Sequence, residues 1–229
     1  MAIYRLTEQL AFPSPELAEP GGLLAVGGDL SPRRLLLAYS LGIFPWFNER
    51  DPLLWWSPDP RCVLFPEELK VSRSLGKLLR RKPFHITINR AFAQVIDSCA
   101  ALRQQETGTW ITDEMRVAYC RLFEAGYAHS VEAWLDDVLV GGLYGICLGR
   151  CFFGESMFFR VANASKVVFV TLVRHLQEQG FALVDCQLPS DHLATFGSRT
   201  LPRREFLQHL VDGGVKPGRP VAGPFPVNL

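Results

Sequence analysis

From residue 66 onward, apolar positions recur with a regular period; before it they do not. Residues 90–103 set Phe92, Val95, Ile96 and Cys99 on one helical face, and residues 113–126 repeat that spacing between a start near Thr112 and a stop at Gly126. Segment 66–82 reads as a further helix, with Pro66, Glu67 and Glu68 at its start and cations at its end, as the helix dipole favours. Residues 165–179, closed by Gly180, make another. Strands are predicted at 84–88, 128–136, 138–149 and 150–158, the last three joined by turns at Asp136-Asp137 and Gly149-Arg150. Segment 182–188 is a strand that Pro189 prevents from continuing, 201–210 is a short helix, and 215–229 is a Pro/Gly-rich tail.

The first 65 residues have a different grammar. Only one helix is clear there, with Ser31 as cap, Pro32 in its first turn and Gly42 after its end; the rest reads as turns and short strands. Two units follow from this contrast, a small N-terminal domain over residues 1–65 and a larger one over 66–229. In the larger unit the order β-α-α-β-β-β-α-β, antiparallel in the middle with a helical crossover between the last two strands, is an α+β pattern. It resembles the GNAT-like (acyl-CoA N-acyltransferase-like) fold, so the expectation is a small N-terminal α/β domain followed by a GNAT-like domain. Such a fold does not define a function.

Composition removes several classes. Net charge is +1 with 21% charged residues, so any nucleic-acid contact must come from a local patch. The six cysteines (62, 99, 120, 147, 151 and 186) contain no C-x-x-C and point to reduced, buried thiols, with no metal site and no disulfide framework. No run of 18 apolar residues and no leader-like N-terminus occurs, so a cytoplasmic protein without a membrane contact is expected.

Polar residues in apolar strands carry the chemistry. Period two puts Asp185 and Gln187 on one face near the end of their strand and turns Ala182, Val184 and Cys186 to the other. The plainer reading is that the pair caps neighbouring backbone. Glu155, inside Cys-Phe-Phe-Gly-Glu-Ser-Met-Phe, is costly unless paired or facing a cavity. Lys70, Arg73, Lys77, Arg80, Arg81 and Lys82 occur with no acid between residues 69 and 83, either as a solvated face or as a contact to phosphates. Trp46, Trp55, Trp56 and Trp110 lie in loop-like contexts and either anchor those loops or stack on a base. The glycines of 141–149 match no phosphate loop, residues 160–166 lack the glycine-rich segment that a coenzyme A enzyme of this fold carries, and a Cys186–His192 nucleophile pair is disfavoured because Cys186 faces away from Asp185.

Segments 25–47, 55–61, 109–112, 129–134, 141–158, 163–167 and 183–198, including WWSPDPR, GGLYGICLGRCFFGESMF and LVDCQLPSDHLATFGS, together resemble the leucyl/phenylalanyl-tRNA-protein transferases, in order and over nearly the whole chain. The resemblance implies an enzyme moving Leu or Phe, with Met as a further candidate, from aminoacyl-tRNA to the N-terminal Arg or Lys of a protein, marking it for N-end-rule degradation, as a monomer without metal or separate cofactor. It assigns catalysis to Asp185, Gln187 and Glu155, with Asp185 holding the amine and taking its proton, Gln187 positioning the ester and Glu155 adding negative potential. It assigns the aminoacyl pocket to Leu143, Phe152, Met157, Phe169, Leu172, Leu176 and Val184, the terminal adenosine to Trp46 and Trp110, and the tRNA backbone to Lys77, Arg80, Arg81 and Lys82. An acetyl-coenzyme A-dependent N-acetyltransferase and a non-catalytic tRNA- or degron-binding adaptor remain the alternatives. His192 has no assigned role.

Overall fold

The computed structural model describes residues 3–106 and 111–218. Its first part holds the short strands β1 (Tyr4–Leu6), β2 (Leu23–Gly27), β3 (Phe44–Pro45) and β4 (Leu54–Trp56) around helix α1 (Pro32–Ser40), which the Ser31 hydroxyl caps by accepting from the Arg34 N–H. These strands form a four-stranded sheet in the order β1-β2-β4-β3. The chain continues through β5 (Arg61–Leu64), α2 (Arg73–Arg81), β6 (His85–Ile88), α3 (Phe92–Glu106) and α4 (Asp113–Glu124). Then come β7 (Ala128–Leu135), β8 (Val138–Leu148), β9 (Cys151–Phe159), α5 (Ala164–Glu178), β10 (Leu183–Gln187), α6 (Asp191–Ala194), β11 (Arg199–Leu201) and α7 (Arg203–Asp212).

The α+β class is as predicted. A seven-stranded sheet runs β11-β5-β10-β9-β8-β7-β6; α5 is the crossover that makes β9 and β10 parallel, while the other pairs are antiparallel. Each face of the sheet has its own core. Tyr144, Ile146, Phe153 and Phe158 pack with α3 and α4 residues such as Val95, Met115 and Tyr119; Leu143, Phe152 and Val184 pack with Val168, Phe169 and Leu172 of α5. No helix among the described residues is long and apolar enough to cross a membrane.

Two readings of the sequence change. Segment 66–82 is not one helix: residues Pro66–Glu68 form a 3-10 turn, the chain extends, and α2 starts afresh where the Ser72 hydroxyl accepts from the Leu75 N–H. Glu67 and Glu68 therefore lie outside α2, which keeps only its cations. Residues 61–64, read as part of the turn-rich opening, form β5, between β10 and β11 in the large sheet. All four are buried, so neither face alternates with solvent and the period-two signal is absent.

One glycine on β8 bears directly on the site. A Cβ built on Gly145 would lie 2.2 Å from the Phe153 carbonyl oxygen and 2.6 Å from the Phe152 ring. Gly145→Ala is expected to cost about 3 kcal/mol, the upper end of overpacking, because a backbone atom cannot swing aside. Urea unfolding measures this, and a midpoint equal to the parent's would show that the sheet accommodates the methyl group.

Candidate active site

Two bulges on adjacent strands create the site. In the β8–β9 ladder Tyr144 pairs with Ser156 and Gly145 with Gly154, leaving Glu155 as the extra residue. In the β5–β10 ladder Val63 pairs with Asp185 and Cys62 with Gln187, leaving Cys186 extra. Gln187 takes a left-handed φ of 57° to complete the second bulge. The parallel pairing of β9 with β10 runs through Cys151, Phe152 and Phe153 opposite Leu183, Val184 and Asp185, and ends where both bulges begin. The strands part there, and a cavity of about 410 Å³ opens between them.

The bulge also removes the conflict that strict alternation predicts. Val184, Asp185, Cys186 and Gln187 all contribute to the cavity wall, so Cys186 is not turned away from it. Leu143, Phe152, Met157, Phe169, Leu172 and Val184 form the apolar wall together. Leu176 does not: it lies one turn, about 6 Å, further along α5 and is fully buried in the core beneath. Trp46 stands at the rim, 41% exposed, with its ring beside Trp56. Trp110 lies outside the described residues.

The structure adds wall residues that the sequence did not single out, among them Phe44, Tyr144 and Leu193. His192, unassigned before, also lines the cavity, with its ring edge-on to Phe196 and its basicity lowered by burial. It sits on the short α6, which Ser190 caps through its hydroxyl.

Glu155 forms the polar end of the cavity. Tyr39, from α1, lies 2.7 Å from its Oε1, and Tyr119, from α4, lies 2.9 Å from its Oε2; the two tyrosine hydroxyls also hydrogen-bond to each other. Gln187 Nε2 donates to Oε1 at 3.3 Å. Burial is the main force that raises the Glu155 carboxyl, from 4.5 to about 7, against the pull of the two tyrosines. Both phenols are held well above their ordinary range, first by burial and then by the charge of Glu155.

Counting protons around this triangle explains the carboxyl's behaviour. Three contacts need three protons, and the two hydroxyls supply two. A protonated Glu155 supplies the third and closes a ring in which each of the three groups donates once and accepts once, the carboxyl through different oxygens; an ionised Glu155 leaves one contact without its proton. Burial favours the neutral carboxyl, the two hydroxyls favour the ionised one, and burial is the larger effect.

Asp185 is committed differently. Arg61 Nε donates to its Oδ1 at 2.8 Å and Nη2 to its Oδ2 at 2.7 Å, with both side chains fully buried. The guanidinium also donates to the Gly42 carbonyl at 3.2 Å and lies 4.7 Å from the ring centres of Phe44 and Phe206. Oδ1 further accepts from the Gln187 backbone N–H at 3.0 Å, which holds the left-handed end of the bulge. Arg61 closes the WWSPDPR segment but carried no assigned role, because its partner lies on a strand 124 residues away.

The cations of α2 divide. Lys77 and Arg81 line a second cavity of about 480 Å³ with Lys166, Asn163, Ser72, Ser74 and Thr195, whereas Arg80 and Lys82 are exposed elsewhere on α2 and at its C-cap. Among the described residues none of these four is in a salt bridge.

The site is thus an apolar cavity that ends in a carboxyl poised near neutrality, at the divergence of two parallel strands. The chain matches the family described as leucyl/phenylalanyl-tRNA protein transferase over residues 63–211, and that family's N-terminal domain over residues 28–59. The leucyl/phenylalanyl-tRNA–protein transferase of Syntrophotalea carbinolica is 59% identical over 228 residues, 99% of each chain. That of Nitrosospira multiformis is 62% identical over 194 residues, 85% of this chain and 84% of its own. Among solved structures, an aminoglycoside acetyltransferase from an uncultured soil metagenomic sample aligns at 19% identity, over 49% of this chain and 83% of that one, with a TM-score of 0.39. The chain belongs to the leucyl/phenylalanyl-tRNA–protein transferase family. It is an aminoacyltransferase.

Proposed function

We propose that this enzyme takes Leu or Phe from its aminoacyl-tRNA and joins it to the α-amino group of an N-terminal Arg or Lys of a protein, acting as a cytoplasmic monomer in N-end-rule degradation. The observation that carries the reading is the apolar cavity ending at a carboxyl that titrates about 7. An aminoacyl ester is already activated, so the enzyme needs to place the two substrates, remove a proton from the amine and stabilise the developing oxyanion. Leu143, Met157, Phe169 and Leu172 receive the side chain of the amino acid, and Trp46 offers a face to the terminal adenosine.

At the polar end the roles assigned from sequence are redistributed. Asp185 cannot take the proton without leaving a buried guanidinium uncompensated, so it serves as a fixed anchor for the bulge. Glu155 accepts the proton from the attacking amine, and doing so completes its hydrogen-bonded ring with Tyr39 and Tyr119. Gln187 Nε2, with a second N–H beyond the one given to Glu155, donates to the ester oxygen as it gains charge. When ionised, Glu155 also favours a cationic acceptor side chain.

The test is transfer of labelled Phe or Leu from tRNA to peptides beginning with Arg, Lys or Ala. Transfer to Arg and Lys but not Ala is expected. Binding of Phe-tRNA without transfer would favour an adaptor, and acetylation of an amine from acetyl-coenzyme A would favour an acetyltransferase. The basic helix gives a separate expectation: the Lys77→Ala, Arg81→Ala double variant weakens tRNA binding irrespective of stem sequence and lowers the salt slope by about 2. Anisotropy titrations over a salt series measure this, and an unchanged slope removes both residues from the phosphate contact.

A further inference from the structure

Two cysteines that are 124 positions apart in sequence meet at the β10 bulge. Cys186 and Gln187 together oppose Cys62 of β5. Cys62 is paired with Gln187, and Cys186 is the extra bulge residue beside that pair, which makes the two cysteines neighbours across the β5–β10 ladder. Cys186 lines the aminoacyl cavity and Cys62 lies behind it, 1% exposed. Both are free thiols. The neighbouring Cys186 thiol, followed by Ser198, lowers the Cys62 thiol to about 7 against its burial, while the Cys186 thiol is raised. The Cys186 thiol makes a long 3.8 Å contact to the Val184 carbonyl. Elsewhere burial pushes Cys120, Cys147 and Cys151 up, so they hold their protons more tightly.

We propose that Cys62 and Cys186 form an oxidation site, at which a small hydroperoxide entering the aminoacyl cavity converts the paired thiols to a disulfide and shuts off transfer. Cys62, the more acidic thiol, takes the proton of Cys186 as the Cys186 sulfur, which lines the cavity, meets the oxidant. That sulfur attacks the peroxide, an S–O bond forms as the O–O bond breaks, and the departing oxygen leaves as an alcohol or water after taking up a proton. Cys62 then attacks the sulfenic sulfur, the S–S bond forms, and the sulfenic oxygen leaves as water. Overall, two thiols and one hydroperoxide give a disulfide, an alcohol or water, and a second water, with two electrons passing from sulfur to the peroxide. Tying Cys186 to β5 shifts the adjoining Gln187 away from Glu155. The loss of transfer rests on the aminoacyl reading of this cavity; the disulfide does not.

The experiment treats the full-length enzyme with hydrogen peroxide, quenches with catalase, maps peptides by mass under non-reducing conditions and assays Phe transfer before and after dithiothreitol. A Cys62–Cys186 cross-linked peptide is expected, with loss of nearly all transfer and recovery on reduction. Cys62→Ala, and Cys62→Ser as the variant that keeps a hydroxyl donor, should transfer normally before treatment and lose activity much more slowly in peroxide. The proposal fails if no cross-linked peptide appears, if the cross-link leaves transfer unchanged, or if both variants are as sensitive as the parent. Failure of the aminoacyl reading is distinguishable, since untreated enzyme would then show no transfer while the cross-link would still be seen.

Discussion

Glu155→Gln is expected to fold as the parent does and to lose transfer by about 10²–10⁴, the range of a general base. Glutamine is an informative replacement because it reproduces the protonated carboxyl. Its NH2 donates to one tyrosine and its oxygen accepts from the other, so the ring with Tyr39 and Tyr119 stays closed while the proton acceptor is gone. The parent's kcat/KM should rise with pH through about 7 as Glu155 ionises, with a further limb near 7.7–8.0 from the acceptor amine. The variant should keep only the second limb. Stability carries an independent signature. The folded protein holds this proton at pH values where the unfolded chain, with its carboxyl at the usual 4.5, has released it. The stability contributed is therefore fully present below 4.5 and declines as pH rises to about 7. Glu155→Gln should flatten that decline in urea unfolding across the same window. A variant within tenfold of the parent, or one with the lower limb unchanged, would require another group to accept the proton.

Arg61→Met is expected to destabilise by about 3–5 kcal/mol, because it leaves the Asp185 carboxylate fully buried without its counter-charge. That is a large part of the stability of an ordinary domain, so loss of soluble protein is one form the result can take. The double variant Arg61→Met, Asp185→Asn separates charge from packing: with no charge to strand, it should recover much of the loss. Urea midpoints of the parent, both single variants and the double variant close the cycle. A loss below about 1 kcal/mol in Arg61→Met, far from the cost of an uncompensated buried charge, would mean that Asp185 finds another partner.

What the sequence made legible follows a physical rule. Helices α3 and α4 bury one stripe each, so their period is visible, whereas β7 and β8 are buried on both faces and were legible from the turn residues that bound them, Asp136-Asp137 and Gly149-Arg150. Glu155, Asp185 and Gln187 were conspicuous because charge or amide inside an apolar strand needs a reason. Tyr39 and Tyr119 were invisible for the opposite reason. Each occupies the apolar stripe of its helix and reads as core, which its ring is; only the hydroxyl reaches the site. Arg61 follows Pro58, Asp59 and Pro60 and reads as a turn, yet it opens a strand in the large sheet. The bulges were hidden as well. Gln187 takes a left-handed conformation without the glycine that would advertise it, so alternation extrapolated through Cys186 put the wrong side chains together.

The strand order of the large sheet also bears on how the chain folds. β5 is synthesised early, but its partners β10 and β11 lie more than a hundred residues later, and β5 separates them in the sheet. A nascent chain that has emerged only through β9 can build the antiparallel β6-β7-β8-β9 part of the sheet, while β5, apolar at Cys62, Val63 and Leu64, waits unpaired. Arg61 has no Asp185 to meet until α5 has crossed over and β10 has been added. The candidate site is thus completed near the end of synthesis, and until then the exposed β5 edge is a place where association with another chain competes with folding.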